Sequence, residues 1–173
     1  FAEKYYSMSP YQYGANSPVG NIDVNGDSIR VYTETQSFGH TWISVGEGSN
    51  MTVYSYGRYN GTNKGPDRSS NSLGNGSGVL LKLMGDEAKA YNDKKAAGGM
   101  SVFVVTDVAD EKVANILDEK FNMSTTMPDN PKSDYYNSSS ARIIDKYKLT
   151  SNNCTTMVSD VLNKSGSNAL KET

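Results

Sequence analysis

Two β-rich runs, residues 41–45 (Thr-Trp-Ile-Ser-Val) and 51–56 (Met-Thr-Val-Tyr-Ser-Tyr), flank a five-residue loop, residues 46–50, that holds two glycines. The spacing predicts an antiparallel hairpin and so commits the chain to a sheet. Residues 28–35 (Ser-Ile-Arg-Val-Tyr-Thr-Glu-Thr) alternate apolar and polar side chains, as a half-buried strand does. Residues 101–105 (Ser-Val-Phe-Val-Val) read as a buried strand. Helices follow from charge order and spacing. Residues 86–97 begin with Asp86-Glu87, end with Lys94-Lys95 and stop at Gly98-Gly99. Residues 110–121 carry Val113, Ile116 and Leu117 on one stripe, with acid early and Lys120 late. A third helix opens at Cys154, and Gly166 ends it. The type of the short apolar run 79–84 stays open, and residues 141–149 lead into the last helix. Residues 57–78 and 122–140 read as long polar loops, within which Gly74-Asn75-Gly76-Ser77-Gly78 looks like a flexible segment. There is no internal repeat. The expected class is α+β, a small antiparallel sheet packed on helices.

Several functions are disfavoured by composition. The 173 residues suffice for one domain with a core. A formal net charge of -2 and the lack of a basic stripe argue against a nucleic-acid surface. No apolar run approaches the ~20 residues of a membrane span, and the first residues lack the layout of a signal peptide. Neither Gly-x-Gly-x-x-Gly nor Gly-Lys-Ser/Thr occurs, so nucleotide binding has no support. The acid pairs Asp86-Glu87 and Asp110-Glu111 fall at helix starts, where the dipole explains them without a glycosidase role.

The chain has one histidine, His40, and one cysteine, Cys154. A lone cysteine forms no internal disulfide. The pair does not supply the three or four ligands of a zinc site, and no metal or cofactor is expected. Cys154 follows Ser151-Asn152-Asn153, any of which can cap the helix that Cys154 begins. There the dipole and the free backbone N–H groups favour an anion, either a thiolate or the oxyanion of a tetrahedral intermediate. Met157 and Val158 share its face and point it inward. His40 starts the first strand of the hairpin and is the only imidazole available as a base. A base needs a partner that orients its ring. The second strand offers Thr52, Tyr54, Ser55 and Tyr56; Ser55 is our choice, and strand register decides. The plain alternatives are a small buried hydrophobe for Cys154 and a satisfied structural residue for His40. The twelve tyrosines are scattered, which points to packing. A competing function is an adhesive or carbohydrate- or protein-binding tip that uses exposed tyrosines.

Two resemblances refine this. Residues 1–28, with Ser9-Pro10-Tyr11-Gln12-Tyr13-Gly14-Ala15-Asn16-Ser17-Pro18 and Ile22-Asp23-Val24-Asn25-Gly26-Asp27, closely resemble the end of the RHS repeat-associated core of Bacteroidetes proteins. Val24 stands where that pattern usually has Pro. In related cores the junction is often cleaved, and a variable C-terminal effector, commonly a toxin, follows it. The resemblance thus implies a junction leader over 1–28 and an effector domain over 29–173. It also implies secretion or delivery from the cell surface within a larger protein, and a cognate immunity protein. The second resemblance joins Gly39-His40-Thr41-Trp42-Ile43-Ser44-Val45, Val53-Tyr54-Ser55-Tyr56-Gly57 and Tyr147-Lys148-Leu149-Thr150-Ser151-Asn152-Asn153-Cys154-Thr155-Thr156. It looks like a circularly permuted papain-like domain of the NlpC and lecithin:retinol acyltransferase type. That implies Cys154 as nucleophile at a helix N-terminus, His40 as base, a third polar residue on the next strand, and Asn153 beside the oxyanion. The substrate would be a peptide, a peptidoglycan amide or an acyl lipid.

Overall fold

The computed structural model describes residues 28–34, 39–61 and 75–170. The expected leader over residues 1–27, its Val24 junction and most of the loop after residue 61 lie outside the described residues. Six strands are present: β1 (Ile29–Glu34), β2 (His40–Val45), β3 (Thr52–Gly57), β4 (Gly76–Met84), β5 (Met100–Val105) and β6 (Ala141–Tyr147). Three α-helices accompany them: α1 (Asp86–Ala96), α2 (Asp110–Asn122) and α3 (Cys154–Ser165). The strands form one sheet in the order β5-β1-β2-β3-β4-β6, and every neighbouring pair is antiparallel. The α+β expectation is met.

The hairpin forms as the loop spacing requires. Gly46 has φ +83°, and a side chain there would collide with the backbone of Asn50, so only glycine fits this turn. The short apolar run becomes β4 and extends back to Gly76, so Gly76–Gly78 belongs to a strand where the sequence reads as a flexible loop. Residues 141–149 supply β6. The run 101–105 is a strand but not a buried one: β5 lies at the sheet edge with Val102, Phe103 and Val104 each 45–59% exposed. An apolar run looks the same in sequence whether a neighbour covers it or not.

Pleating sorts the side chains, because successive residues of a strand point to opposite faces and paired residues share a face. One face presents Val31, Ile43, Val45, Tyr54, Tyr56 and Leu80. It packs against Val113, Leu117 and Phe121 of α2 and Met157, Val158, Val161 and Leu162 of α3. The i, i+3, i+4 spacing of those helical residues creates the apolar stripes that dock there. Leu117 and Val161 are fully or almost fully buried, each worth ~1.5–3 kcal/mol of transfer. The other face presents Tyr32, Trp42, Val53, Leu81 and Leu83, covered by Ala88 and Tyr91 of α1. We call these the two-helix face and the one-helix face.

Candidate functional site

The sole histidine and the sole cysteine lie on opposite faces of the sheet. His40, Trp42 and Ser44 alternate with Thr41, Ile43 and Val45 along β2. Trp42 belongs to the one-helix core and Ile43 to the two-helix core, so His40 shares the side of Trp42. Its ring stacks on Trp42 with centroids 5.5 Å apart. Cys154 begins α3, whose Met157 and Val158 dock on the two-helix face. The expected Cys154–His40 contact is therefore not formed. Sequence reasoning paired a strand with a helix but left open which side of the strand the helix covers. A shift of one residue decides that.

His40 instead joins a cluster of hydroxyls. Its Nε2 lies 2.7 Å from Ser55 Oγ and 2.9 Å from the Tyr59 hydroxyl. Ser55 Oγ also lies 2.6 Å from the Tyr59 hydroxyl and 2.9 Å from that of Tyr91, and the two tyrosine hydroxyls are 2.8 Å apart. These five contacts draw on three hydroxyl protons and at most one imidazole proton, so at most four can be hydrogen bonds at once. Of the four candidate partners, Ser55 reaches His40. Tyr54 and Tyr56 face the opposite side and donate to Asp118 and Asp145, and Thr52 pairs with Val45 at the far end of the hairpin. Desolvation, followed by the positive charge of Lys95, pushes the His40 pKa down to about 3. The ring is neutral at pH 7 and a poor proton acceptor there. Burial raises the pKa of Tyr59 and Tyr91 as well. The cluster is an uncharged, partly buried seam around the fully buried Ser55.

A second cluster forms around Cys154 on the two-helix face. Asn153 is the helix cap: its Oδ1 accepts from Thr156 N at 3.0 Å, and Thr156 Oγ1 accepts from Asn153 N at 2.8 Å. This reciprocal box satisfies two of the backbone donors that a helix start leaves open. Asn153 Nδ2 donates to Leu149 O at 2.8 Å and ties the approach loop to the same corner. Asn153 thus positions the helix, with one of its two Nδ2 protons given to Leu149 O. The Cys154 side chain is 8% exposed. Tyr147, at the end of β6, is its electrostatic neighbour. Burial raises the Tyr147 pKa, and Cys154 adds to the rise, while the Arg58 guanidinium, 5.9 Å from the ring centroid, opposes it.

Behind Tyr147 stands Tyr56, with ring centroids 5.6 Å apart. Its hydroxyl donates to Asp145 and accepts from Asn152 Nδ2 at 3.0 Å. Asn152 Nδ2 also donates to Lys146 O, so Asn152 links β6, β3 and the loop before α3. Gly78 lies beneath the Tyr56–Asp145 contact, where a side chain would strike both groups. That is why β4 carries glycine at its bulge. Beside this corner opens a cleft of about 320 Å³. Asp145, Asn152, Thr156 and Met157 line it together with the Lys120–Asp160 ion pair, 2.8 Å long.

Sequence reasoning missed Tyr59 and Tyr91 around His40, and Arg58, Tyr56 and Asp145 around Cys154. None has a local signature, since each arrives from a different segment. Tyr147 was visible as the start of the segment that ends in Asn152-Asn153-Cys154. Of the described tyrosines, Tyr136 alone is about half exposed, at 47%. Among these residues no group of three or more His, Cys, Asp or Glu gathers as a metal site, and no helix is long and apolar enough to cross a membrane. No family model, curated protein or solved structure matches this chain.

Proposed function

We propose that residues 29–173 are the effector domain of an RHS-type protein and act by thiol chemistry at Cys154, as a hydrolase or acyltransferase, without His40 as base. The RHS assignment rests on residues 1–28, whose sequence resembles the end of such a core. Delivery from the cell surface and a cognate immunity protein belong to the same proposal. The observation that carries the chemistry is the position of Cys154: first residue of a capped helix, electrostatic neighbour of Tyr147, and flanked in sequence by Ser151, Asn152, Thr156 and Met157, which line the cleft. The thiolate attacks the carbonyl carbon of an amide or ester and forms a thioester. The leaving group departs with a proton taken from solvent or from the Tyr147 hydroxyl. Water or a second acyl acceptor then cleaves the thioester and restores the thiol. Thr156 N is held by the cap and Met157 N by Asn153 O, and the N–H groups of Cys154 and Thr155 meet the developing oxyanion.

The substrate classes are a peptide, a peptidoglycan amide or an acyl lipid. The test compares Cys154→Ser, His40→Gln and the unsubstituted chain for toxicity on expression in a susceptible host, with folding followed by circular dichroism. Cys154→Ser abolishes toxicity with the fold intact, and folded His40→Gln retains it. Full toxicity of Cys154→Ser would overturn the proposal; loss of toxicity in a folded His40→Gln protein would restore a role for the histidine.

A further inference from the structure

The two edges of the sheet are built differently. β6, at one edge, carries Arg142, Asp145 and Lys146, and a loop covers part of it: Ile143 N donates to Thr126 O at 2.8 Å. Charges and covering loops are how proteins keep an edge from pairing with another chain. β5, at the other edge, has neither. Its sequence is Met-Ser-Val-Phe-Val-Val, with no charge, no proline and no bulge. Among the described residues nothing pairs with its outer side. Val102 and Val104 project on the one-helix side and Phe103 on the two-helix side, yet all three are about half exposed, so the helices leave both faces of this strand open. A row of free backbone donors and acceptors flanked by apolar side chains on both faces is a strand-addition site.

We infer that β5 pairs antiparallel with β5 of a second copy of this chain, joining two sheets into one. A two-fold axis perpendicular to the sheet preserves its faces. Opposed residues of an antiparallel pair also share a face, so the axis must set a residue against itself. With Phe103 on the axis, Phe103 meets Phe103 of the second copy, and Val102 meets Val104 of the second copy on the other face. Each exposed apolar side chain thereby gains an apolar partner. Charge favours the same arrangement. Asp93, Lys94 and Lys95 precede the strand, and with Glu34, which bonds Lys95, their charges cancel; Asp107, Asp110, Glu111 and Lys112 follow it and leave that end acidic. Antiparallel pairing sets the acidic end of each copy against the neutral end of the other; parallel pairing would set the two acidic ends together. A strand from a different protein could use the same backbone groups, but it would meet Phe103 and the two valines in this arrangement only by coincidence of sequence.

Sedimentation velocity of the full chain over a wide concentration range tests this. The expected result is a concentration-dependent species of twice the 18.8 kDa chain mass. Phe103→Lys places two like charges against each other on the axis and raises the midpoint concentration by at least about tenfold, with an unchanged melting curve at concentrations where both proteins are monomeric. Phe103→Cys in a Cys154→Ser background forms an intermolecular disulfide on mild oxidation, since the axis brings the two side chains together. A monomer at every concentration overturns the inference, whether residues 1–27 or another protein fills the edge. So does a dimer that Phe103→Lys leaves intact.

Discussion

Replacing His40 with Gln turns the buried hydroxyl cluster into a measurement of pH-dependent stability. His40 titrates near 6.5 in the unfolded chain and at about 3 in the folded one. Between these values the unfolded chain binds a proton that the folded chain refuses, so stability is full above pH 6.5 and falls as the pH drops toward 3. Each pH unit in that window is worth about 1.4 kcal/mol, or about 2.7 kcal/mol by pH 4.5. Gln keeps a polar group near Ser55 and Tyr59 but loses the stacking on Trp42 and some of the contacts, a cost of about 1–3 kcal/mol. His40→Gln is therefore less stable than the unsubstituted chain at pH 7.5. The two curves cross between about pH 5.8 and 4.3, where the proton linkage equals that cost. Urea denaturation of both proteins at half-unit steps from pH 7.5 to 4.5 reads the difference directly, since carboxylates common to both cancel. Curves that stay parallel down to pH 4.5, or an imidazole resonance titrating near pH 6.5 in the folded protein, would refute the reasoning.

Other substitutions separate framework from chemistry. Asn153→Ala removes the cap of α3 and lowers stability by about 1 kcal/mol in chemical denaturation; an unchanged midpoint would show that the box contributes nothing. Gly78→Ala drives a methyl group into the Tyr56–Asp145 contact, and a loss of roughly 2 kcal/mol or more is expected from overpacking at a rigid strand. Tyr147→Phe removes the hydroxyl that neighbours Cys154 while keeping the ring on Tyr56, so alkylation of the native thiol slows at neutral pH while the melting temperature changes little. An unaltered alkylation rate would remove Tyr147 from the site.

What the sequence made legible was local. The acid-first, base-last order of residues 86–97 and 110–121 marks α1 and α2, and both ends of α3 are written in Asn153 and Gly166. The hairpin follows from its loop, and Ser55 was readable as the neighbour of His40 because both lie on paired strands. The face of the sheet was not legible. His40 and Cys154 are separated by more than a hundred residues, and only the docking of Met157 and Val158 against Ile43 and Tyr54 reveals that α3 covers the side His40 avoids. The Gly-rich start of β4 reads as a loop because the reason for Gly78 is a tyrosine and an aspartate on two other strands. The exposure of β5 depends on where α1 and α2 end, which its own six residues do not encode.

The account stands or falls on whether the thiol at the start of α3 is chemically active in the folded protein and independent of the imidazole across the sheet. Iodoacetamide alkylation of the lone cysteine, timed in the native unsubstituted chain and in His40→Gln at pH 7.5, measures both. The account predicts labelling of the native protein at matching rates in the two. Labelling that waits for unfolding, or a rate that collapses in a folded His40→Gln protein, would contradict it.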